Sequence, residues 1–431
     1  MTTASTAAPW RDRRFATSWC GQGVSQLGDR VSELALPLIA VTMLTATPAE
    51  VGLLTAAIWA PNLLSVVVGA WVDHRPSKRR LLVVANLVQA AAALALPVAF
   101  WSGHLSLWAL YAAALVLGSG GVLYQTSYPT FFARLVRRDQ YVEANSLLST
   151  TRSGSFIAGP AIAGALIQAV TAPVAMVVDA ASFLVSAVAI GSVRVDESSD
   201  SSGPAGAAPG PSPDGPLRRA VQGLVFLRHH PYLRASLGCA TTLNFFSFVV
   251  AAVLVLYASR TLGLDAAQIG LGLGLGALGG LAGALLAPGL GRRIGTGRTA
   301  AVGAVLFSAP FAFLPLAGGA TATKVGVLAA TEFVSSIGVM LFDVNVNSVQ
   351  TAVTPDHMRS RVAGAFSTVN YGSRPLGAII GGLAATFVGI GPTLVAAAVG
   401  GCLSVLWLVG SPVLAVRSVG DLDAVDVPAA P

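Results

Sequence analysis

Twelve apolar runs of about 20 residues, each closed by a short polar break, leave this chain very few ways to fold. A run of that length covers ~30 Å at a helical rise, the thickness of a bilayer's hydrocarbon core. Inside hydrocarbon, every backbone N–H and C=O must find a partner within the protein, so only helices and closed barrels can span it. A barrel strand alternates apolar and polar residues over about ten positions, whereas these runs are unbroken. Charged residues make up 10% of the 431, against the roughly 25% that clothes a soluble domain, and the mean hydropathy is +0.72. The expectation is an all-α, multi-pass membrane protein.

The spans fall near residues 15–42, 50–72, 81–100, 105–132, 143–169, 173–193, 233–259, 266–290, 298–317, 325–350, 360–388 and 391–415. With the N-terminus inside, 21 of the 26 Lys and Arg fall on one side, and the other side holds only Arg260 and Lys324. Arg30, Arg152 and Arg374 remain within spans. That asymmetry obeys the positive-inside rule, which places both termini in the cytoplasm of a cell (plasma or inner) membrane. It also accounts for the net charge of +7 without any nucleic-acid partner. Arg11, Arg13 and Arg14, followed by a long charged span, argue against a cleaved signal peptide. Cys20, Cys239 and Cys402 lie far apart in spans, so no disulfide framework or metal site is expected from them.

The expected organisation is a cytoplasmic tail (1–14), a six-helix bundle (15–194), a cytoplasmic linker (195–230), a second six-helix bundle (231–416) and a C-terminal tail (417–431). The first part of the linker is Ser, Gly, Pro and Ala with scattered acids, a composition that does not fold. Its second part, 217–228, has helical apolar spacing and is expected to lie along the inner membrane face. The halves repeat: a shift of 218 carries Val51-Gly52 onto Ile269-Gly270, Arg75 onto Arg293 and Arg80 onto Arg298. A shift of 217 carries Asp139 onto Asp356 and Gly164 onto Gly381. Parallel repeats of this kind place a substrate site near the membrane midplane between the halves.

Between the second and third spans stands Gly69-Ala70-Trp71-Val72-Asp73-His74-Arg75-Pro76-Ser77-Lys78-Arg79-Arg80. Gly69, Asp73, Arg75, Arg79 and Arg80 resemble the loop between the second and third helices of the major facilitator superfamily of transporters. The resemblance implies that family's fold, two pseudo-symmetric six-helix bundles, and a gating role for this loop, with Asp73 reaching the start of the eleventh span near Arg359 and Arg361. The corresponding loop of the second half has Gly291 in place of the aspartate.

An ionisable side chain within a span costs at least ~2.5 kcal/mol, so each is a candidate for function. They are Asp29, Arg30, Glu33, Arg152, Asp179, Glu332, Asp343 and Arg374. All histidines and both lysines lie outside the spans or at their ends, so protons carried by side chains must use carboxylates. Asp29 and Glu33, four apart, share a helix face and discourage each other's ionisation; they are proton-coupling candidates, or else ion-pair partners of Arg30, Arg152 or Arg374. Asp343 and Glu332 in the tenth span are further coupling candidates. Gln26, Arg152, Asn244, Asn345 and Arg374 are candidates for the substrate cavity, with helix-to-helix bonding as the alternative. Asp179, on a helix expected to be peripheral, reads as structural.

In the fifth span, Gly159-Pro160-Ala161-Ile162-Ala163-Gly164 allows close helix approach and a bend. It resembles the antiporter motif of drug exporters in the superfamily. Ser25 through Arg30, the Asp179 segment, Leu227 through Pro231 and Asp356 through Arg361 resemble its macrolide-efflux and enterobactin-exporter-like branch. That resemblance implies secondary active efflux of a small amphipathic molecule by proton antiport, with no cofactor beyond the proton gradient. The implied partners are substrate, protons and lipid, around a monomer. The fourth span lacks the buried arginine many such antiporters carry. A siderophore or other secondary-metabolite exporter, a lipid flippase on the same fold and an importer are the rivals. An enzyme is not expected, for no nucleophile with a base, no metal cluster and no phosphate-binding loop is present.

Overall fold

The computed structural model describes residues 9–193, 216–355 and 358–422; among these there is no strand. Six helical spans come before the linker. They are α1 (Arg13–Leu38), α2 (Pro48–Trp59) running on through a tight turn into α3 (Ser65–Asp73), α4 (Lys78–Trp101), α5 (Leu107–Leu135), α6 (Tyr141–Val170) and α7 (Ala172–Ser192). After the short helix α8 (Pro216–His229) come α9 (Pro231–Leu256), α10 (Ala266–Ile294), α11 (Thr296–Ser308), α12 (Thr321–Val353), α13 (Arg359–Val388) and α14 (Ile390–Leu403), the last continued by a 3₁₀ turn. The second span breaks at Ala60–Leu64 because Pro61 has no N–H to give the helix.

Twelve helical spans therefore form, as the hydropathy runs predict, and ten of them are long and apolar enough to cross a membrane unaided. The other two are α1 and α13, diluted by Asp29, Arg30 and Glu33 and by Arg359, Arg361 and Arg374. The least apolar spans are the ones that carry most of the chemistry.

The repeat is written into the helix ends at a constant offset of 218. A capping box of Thr47 and Glu50 opens α2, and one of Asp265 and Gln268 opens α10. Wide π-helical turns close the first helix of each half, Ile39–Met43 and Tyr257–Thr261. Thr171 and Gly389 enter the last helix of each half with φ of 80° and 97°. Asp356, matched to Asp139 in the sequence, lies outside the described residues.

The halves meet along two seams that this offset exchanges. At one, a side chain on Gly52 of α2 would run into the Ala378 carbonyl and Gly382 of α13. At the other, a side chain on Gly164 of α6 would run into the Ala266 carbonyl and Gly270 of α10. Two hydrogen bonds join the halves at the same end: Arg260 Nη2 donates to the Val41 carbonyl at 3.2 Å, and the Ala49 amide donates to Thr386 Oγ1 at 3.0 Å. All of these contacts lie at the end remote from the basic loops.

The linker residues 194–215 lie outside the described part. The amphipathic segment forms α8, as its spacing predicts, but one side is docked on protein. Gly223 abuts the backbone of Arg361, Gln222 accepts a 2.8 Å bond from Arg361, and Leu227 is buried with Leu233, Val349 and Val362. Val221, Leu224 and Val225 stay about half exposed on the other side.

Thr171 occupies, with ψ of 155°, a backbone region that suits glycine, at a cost of order 1–3 kcal/mol. Thr171→Gly, the residue its counterpart already carries, is expected to raise the thermal midpoint of the purified protein, whereas Gly389→Thr should lower it.

Candidate functional site

Each half encloses a polar hollow that widens toward the basic-loop end. The hollow of the first half, about 470 Å³, is lined by Gln22, Gln26 and Asp29 of α1, Asn86 and Gln89 of α4, Tyr124 and Gln125 of α5, and Arg152 of α6. That of the second half, about 610 Å³, is lined by Asn244, Asp343, Asn347, Gln350, Asn370 and Arg374, with Phe248 and Tyr371. The offset of 218 carries Gln26 onto Asn244, Asp29 onto Ser247, Gln125 onto Asp343 and Arg152 onto Asn370, so the hollows are equivalent sites with different chemistry.

On α1 the charged residues divide between two directions. Gln22, Gln26 and Asp29, at i, i+4 and i+7, share the face toward the hollow. Arg30, which also borders the hollow, reaches toward α6 and forms a 2.6 Å ion pair with Glu33, its guanidinium lying 4.1 Å from the ring centre of Phe156. Gly159 makes room for this, because a side chain there would occupy the space of the Arg30 stem. The glycine of the antiporter-like motif thus seats a charged side chain, while Pro160 and Gly164 form the seam against α10.

Asp179 lies behind this hollow and not in its lining, and its contacts fit the structural role that its place on the sixth span suggests. It is fully buried, accepts hydrogen bonds from Ser32 of α1 and Ser182 of its own helix, and lies near enough to Asp29 for the two charges to repel. Gly28 permits the approach, for a side chain there would strike Ser182 and Asp179. Asp29 and Glu33 both lie near Arg30, and Arg152 lines the same hollow as Asp29. The sequence signal for Asp179 was its cost: an acid in lipid with no function would be selected against.

In the second half, Arg374 Nε donates to Asn244 Oδ1 at 3.0 Å, and its guanidinium lies over the rings of Tyr371 (4.1 Å), Trp59 (4.4 Å) and Phe248 (5.0 Å). Trp59 comes from α2 of the other half, so this cluster crosses between the bundles. Two expectations are corrected here. Asn345 turns into the second bundle, buried and donating to the Leu341 carbonyl at 2.8 Å; the cavity residue is Asn347, one turn from Asp343. Glu332 packs at the α10–α12 contact against Gly276, away from the hollow. The helical phase separates Asp343, Asn347 and Gln350 from Asn345, because a step of two residues points to the opposite side.

The loop at residues 69–80 is held by a residue outside the matched pattern. Lys78 is buried, and its ammonium donates to the carbonyls of Asp73 and Arg75 at 3.2 and 2.8 Å and also to that of Val72. Arg79 donates to the carbonyls of Gly191 and Val193 and so caps the end of α7. Arg75 stacks on Trp71, and Arg80 opens α4, its amide donating to Ser77. Gly69 faces open space, and Asp73 is exposed. Its carboxylate makes no hydrogen bond or ion pair among the described residues, so the expected contact with the start of α13 is not formed in this conformation.

A sequence profile described as Major Facilitator Superfamily matches residues 18–378 and 237–426. The chain belongs to the major facilitator superfamily. It is 28% identical over 400 residues to the uncharacterized MFS-type transporter y4rN of Sinorhizobium fredii, covering 87% of this chain and 91% of that one. Among solved structures it resembles a bacterial homologue of the iron transporter ferroportin (TM-score 0.71, 17% identity, 92% of this chain and 98% of that one). It also resembles the nucleoside transporter NupG (TM-score 0.70, 12% identity, 92% and 98%). At such identities these two structures speak for the fold alone. No cluster of three or more metal-ligating side chains occurs among the described residues of this facilitator.

Asp179→Ala should lower the thermal midpoint of the detergent-purified transporter by the equivalent of about 1–3 kcal/mol, because Ser32 and Ser182 lose a buried acceptor. Asp179→Asn keeps an acceptor and should unfold near the wild-type temperature. Equal losses in the two variants would remove the hydrogen-bonding account.

Proposed function

We propose that this facilitator is a secondary active exporter that exchanges protons for a small amphipathic molecule by alternating access. The observation that carries the reading is the placement of the acids. Asp29 lines a hollow open at one end, with Asp179 behind it, and the opposite end is closed by backbone contact at the two glycine seams. The bias of the basic loops assigns the open end to the cytoplasm, so the conformation described is the one that loads substrate from inside. The likeness to the macrolide-efflux branch in Ser25 through Arg30 and in the Asp179 segment supports export of a drug-like or siderophore-like molecule.

On this cycle, rocking about the midplane separates the glycine seams and brings the basic-loop ends together. Asp73 then reaches the N-terminal end of α13, where helix dipole and cations favour a carboxylate. Outside, the hollow takes up a proton at Asp29 and releases substrate; inside, the proton leaves as substrate binds. Arg30 holds Glu33 as an ion pair, so Asp29, with Asp179 behind it, is the coupling carboxylate.

Wild-type protein in liposomes should drive dye or antibiotic movement when a pH gradient is imposed and reverse it when the gradient is reversed. Asp29→Asn should abolish gradient-driven accumulation yet preserve exchange of substrate across the membrane at equal pH. Accumulation by Asp29→Asn at the wild-type level would eliminate Asp29 as the coupling residue, and accumulation indifferent to the gradient in wild type would eliminate proton antiport.

A further inference from the structure

The offset of 218 exposes an exchange of partners between the halves. Arg30 of α1 lies over Phe156 of α6; the equivalent positions are Phe248 of α9 and Arg374 of α13, again a guanidinium near a ring, with the residue types swapped. The clearance differs: Gly159 makes room for the Arg30 stem, whereas its counterpart Gly377 makes room chiefly for the Phe245 carbonyl of α9. The halves differ in what neutralises the cation. Arg30 is paired in charge with Glu33, but the counterpart of Glu33 is Ala251. No carboxylate among the described residues lies within ion-pair distance of Arg374.

Arg374 is also fixed in place. Its planar group is hemmed by Tyr371, Trp59 and Phe248, and Nε is engaged by Asn244, while Nη1 and Nη2 donate to no protein acceptor among the described residues. A half-buried guanidinium held rigidly with two donors to spare is matched by a planar oxyanion, which accepts two parallel bonds. Asp343 lines the same hollow near enough for its charge to attract Arg374, yet forms no ion pair with it, so the guanidinium still presents positive charge to the hollow. A lipophilic cation entering it would face that charge with its own water removed.

We propose that Arg374 is the anion subsite of this transporter, and that its substrates carry a carboxylate or equivalent oxyanion on an apolar body that rests against Phe248 and Tyr371. The proposal rests on the reading of the hollows as the substrate path. It requires neither proton coupling nor a direction of transport.

Isothermal titration calorimetry on the detergent-purified full chain tests it with three probes on one scaffold: 2-naphthylacetate, its methyl ester and 2-naphthylethylammonium. Wild-type protein should bind the carboxylate at least about tenfold more tightly than either other probe, as a charge-assisted pair predicts. Arg374→Gln should erase that preference and leave ester binding unchanged, and Arg374→Lys should restore part of it. Arg152→Gln, in the other hollow, should retain it. Thermal midpoints of all variants are measured alongside, and Arg374→Lys carries the comparison if Arg374→Gln does not fold. The proposal is overturned if wild type does not prefer the carboxylate, if the preference survives in Arg374→Gln, or if Arg152→Gln is the variant that loses it. Calorimetry involves no gradient, so loss of proton-driven transport in liposomes with the preference intact would count against antiport alone.

Discussion

Backbone contact at Gly52 with Gly382 and at Gly164 with Gly270 is the constraint on which the rest of the molecule depends. In lipid, no hydrophobic force drives one helix onto another, because the surrounding chains are as apolar as the helices. Association must come from close packing, which improves as backbones approach, and glycine permits the closest approach. These four residues gather that packing at one end of the molecule. At the other end the halves diverge, and the polar hollows open between flanking helices. A pair of seams confined to one end closes that end alone, and on the proposed cycle the halves part there as they approach at the other.

With that frame set, the charges take places that packing alone would forbid. An isolated ion in hydrocarbon is costly to keep, and all of these intramembrane charges but Glu332 have a partner, a polar hollow or both. Arg30 has Glu33 and Phe156. Asp179, fully buried, has the hydroxyls of Ser32 and Ser182. Asp29, Asp343 and Arg374 have the hollows. The small residues beside them follow from this arrangement: Gly28 admits Asp179 and Gly159 seats Arg30. Such glycines read in the sequence as helix-packing motifs, and the structure shows that some of them accommodate side chains.

The fold was legible because lipid enforces it. Apolar runs had to be helices, the basic bias oriented them and the repeat divided them into halves. The sites were less legible for a geometric reason. A membrane helix is apolar on most of its circumference, so hydropathy does not reveal which side faces a hollow. Where polar residues recur on one helix the phase is informative, and Asp343, Asn347 and Gln350 could have been separated from Asn345 on spacing alone. Contacts such as Arg30 with Phe156 or Arg374 with Trp59 join residues more than 100 positions apart, and no local pattern announces them. Lys78 is a different case: a buried lysine satisfied by backbone carbonyls resembles any loop cation until the turn is built.

The duplicated frame carries unlike chemistry in its halves. Asp29 and Asp179 correspond to Ser247 and Ala397, and the Arg30–Glu33 pair corresponds to Phe248 and Ala251. The first half therefore has an arginine paired with a carboxylate, and the second has an arginine among aromatic rings without an ion-pair partner among the described residues. On the proposed cycle, proton and substrate do not compete for one side chain; they occupy equivalent hollows in different bundles. Trp59 reaches from the first half onto Arg374 of the second, beside Phe248, so rotation of the bundles must alter the surroundings of Arg374. A change at the acids that favours rotation is then felt at the arginine through Trp59, which gives the two sites a physical link that sequence separation conceals.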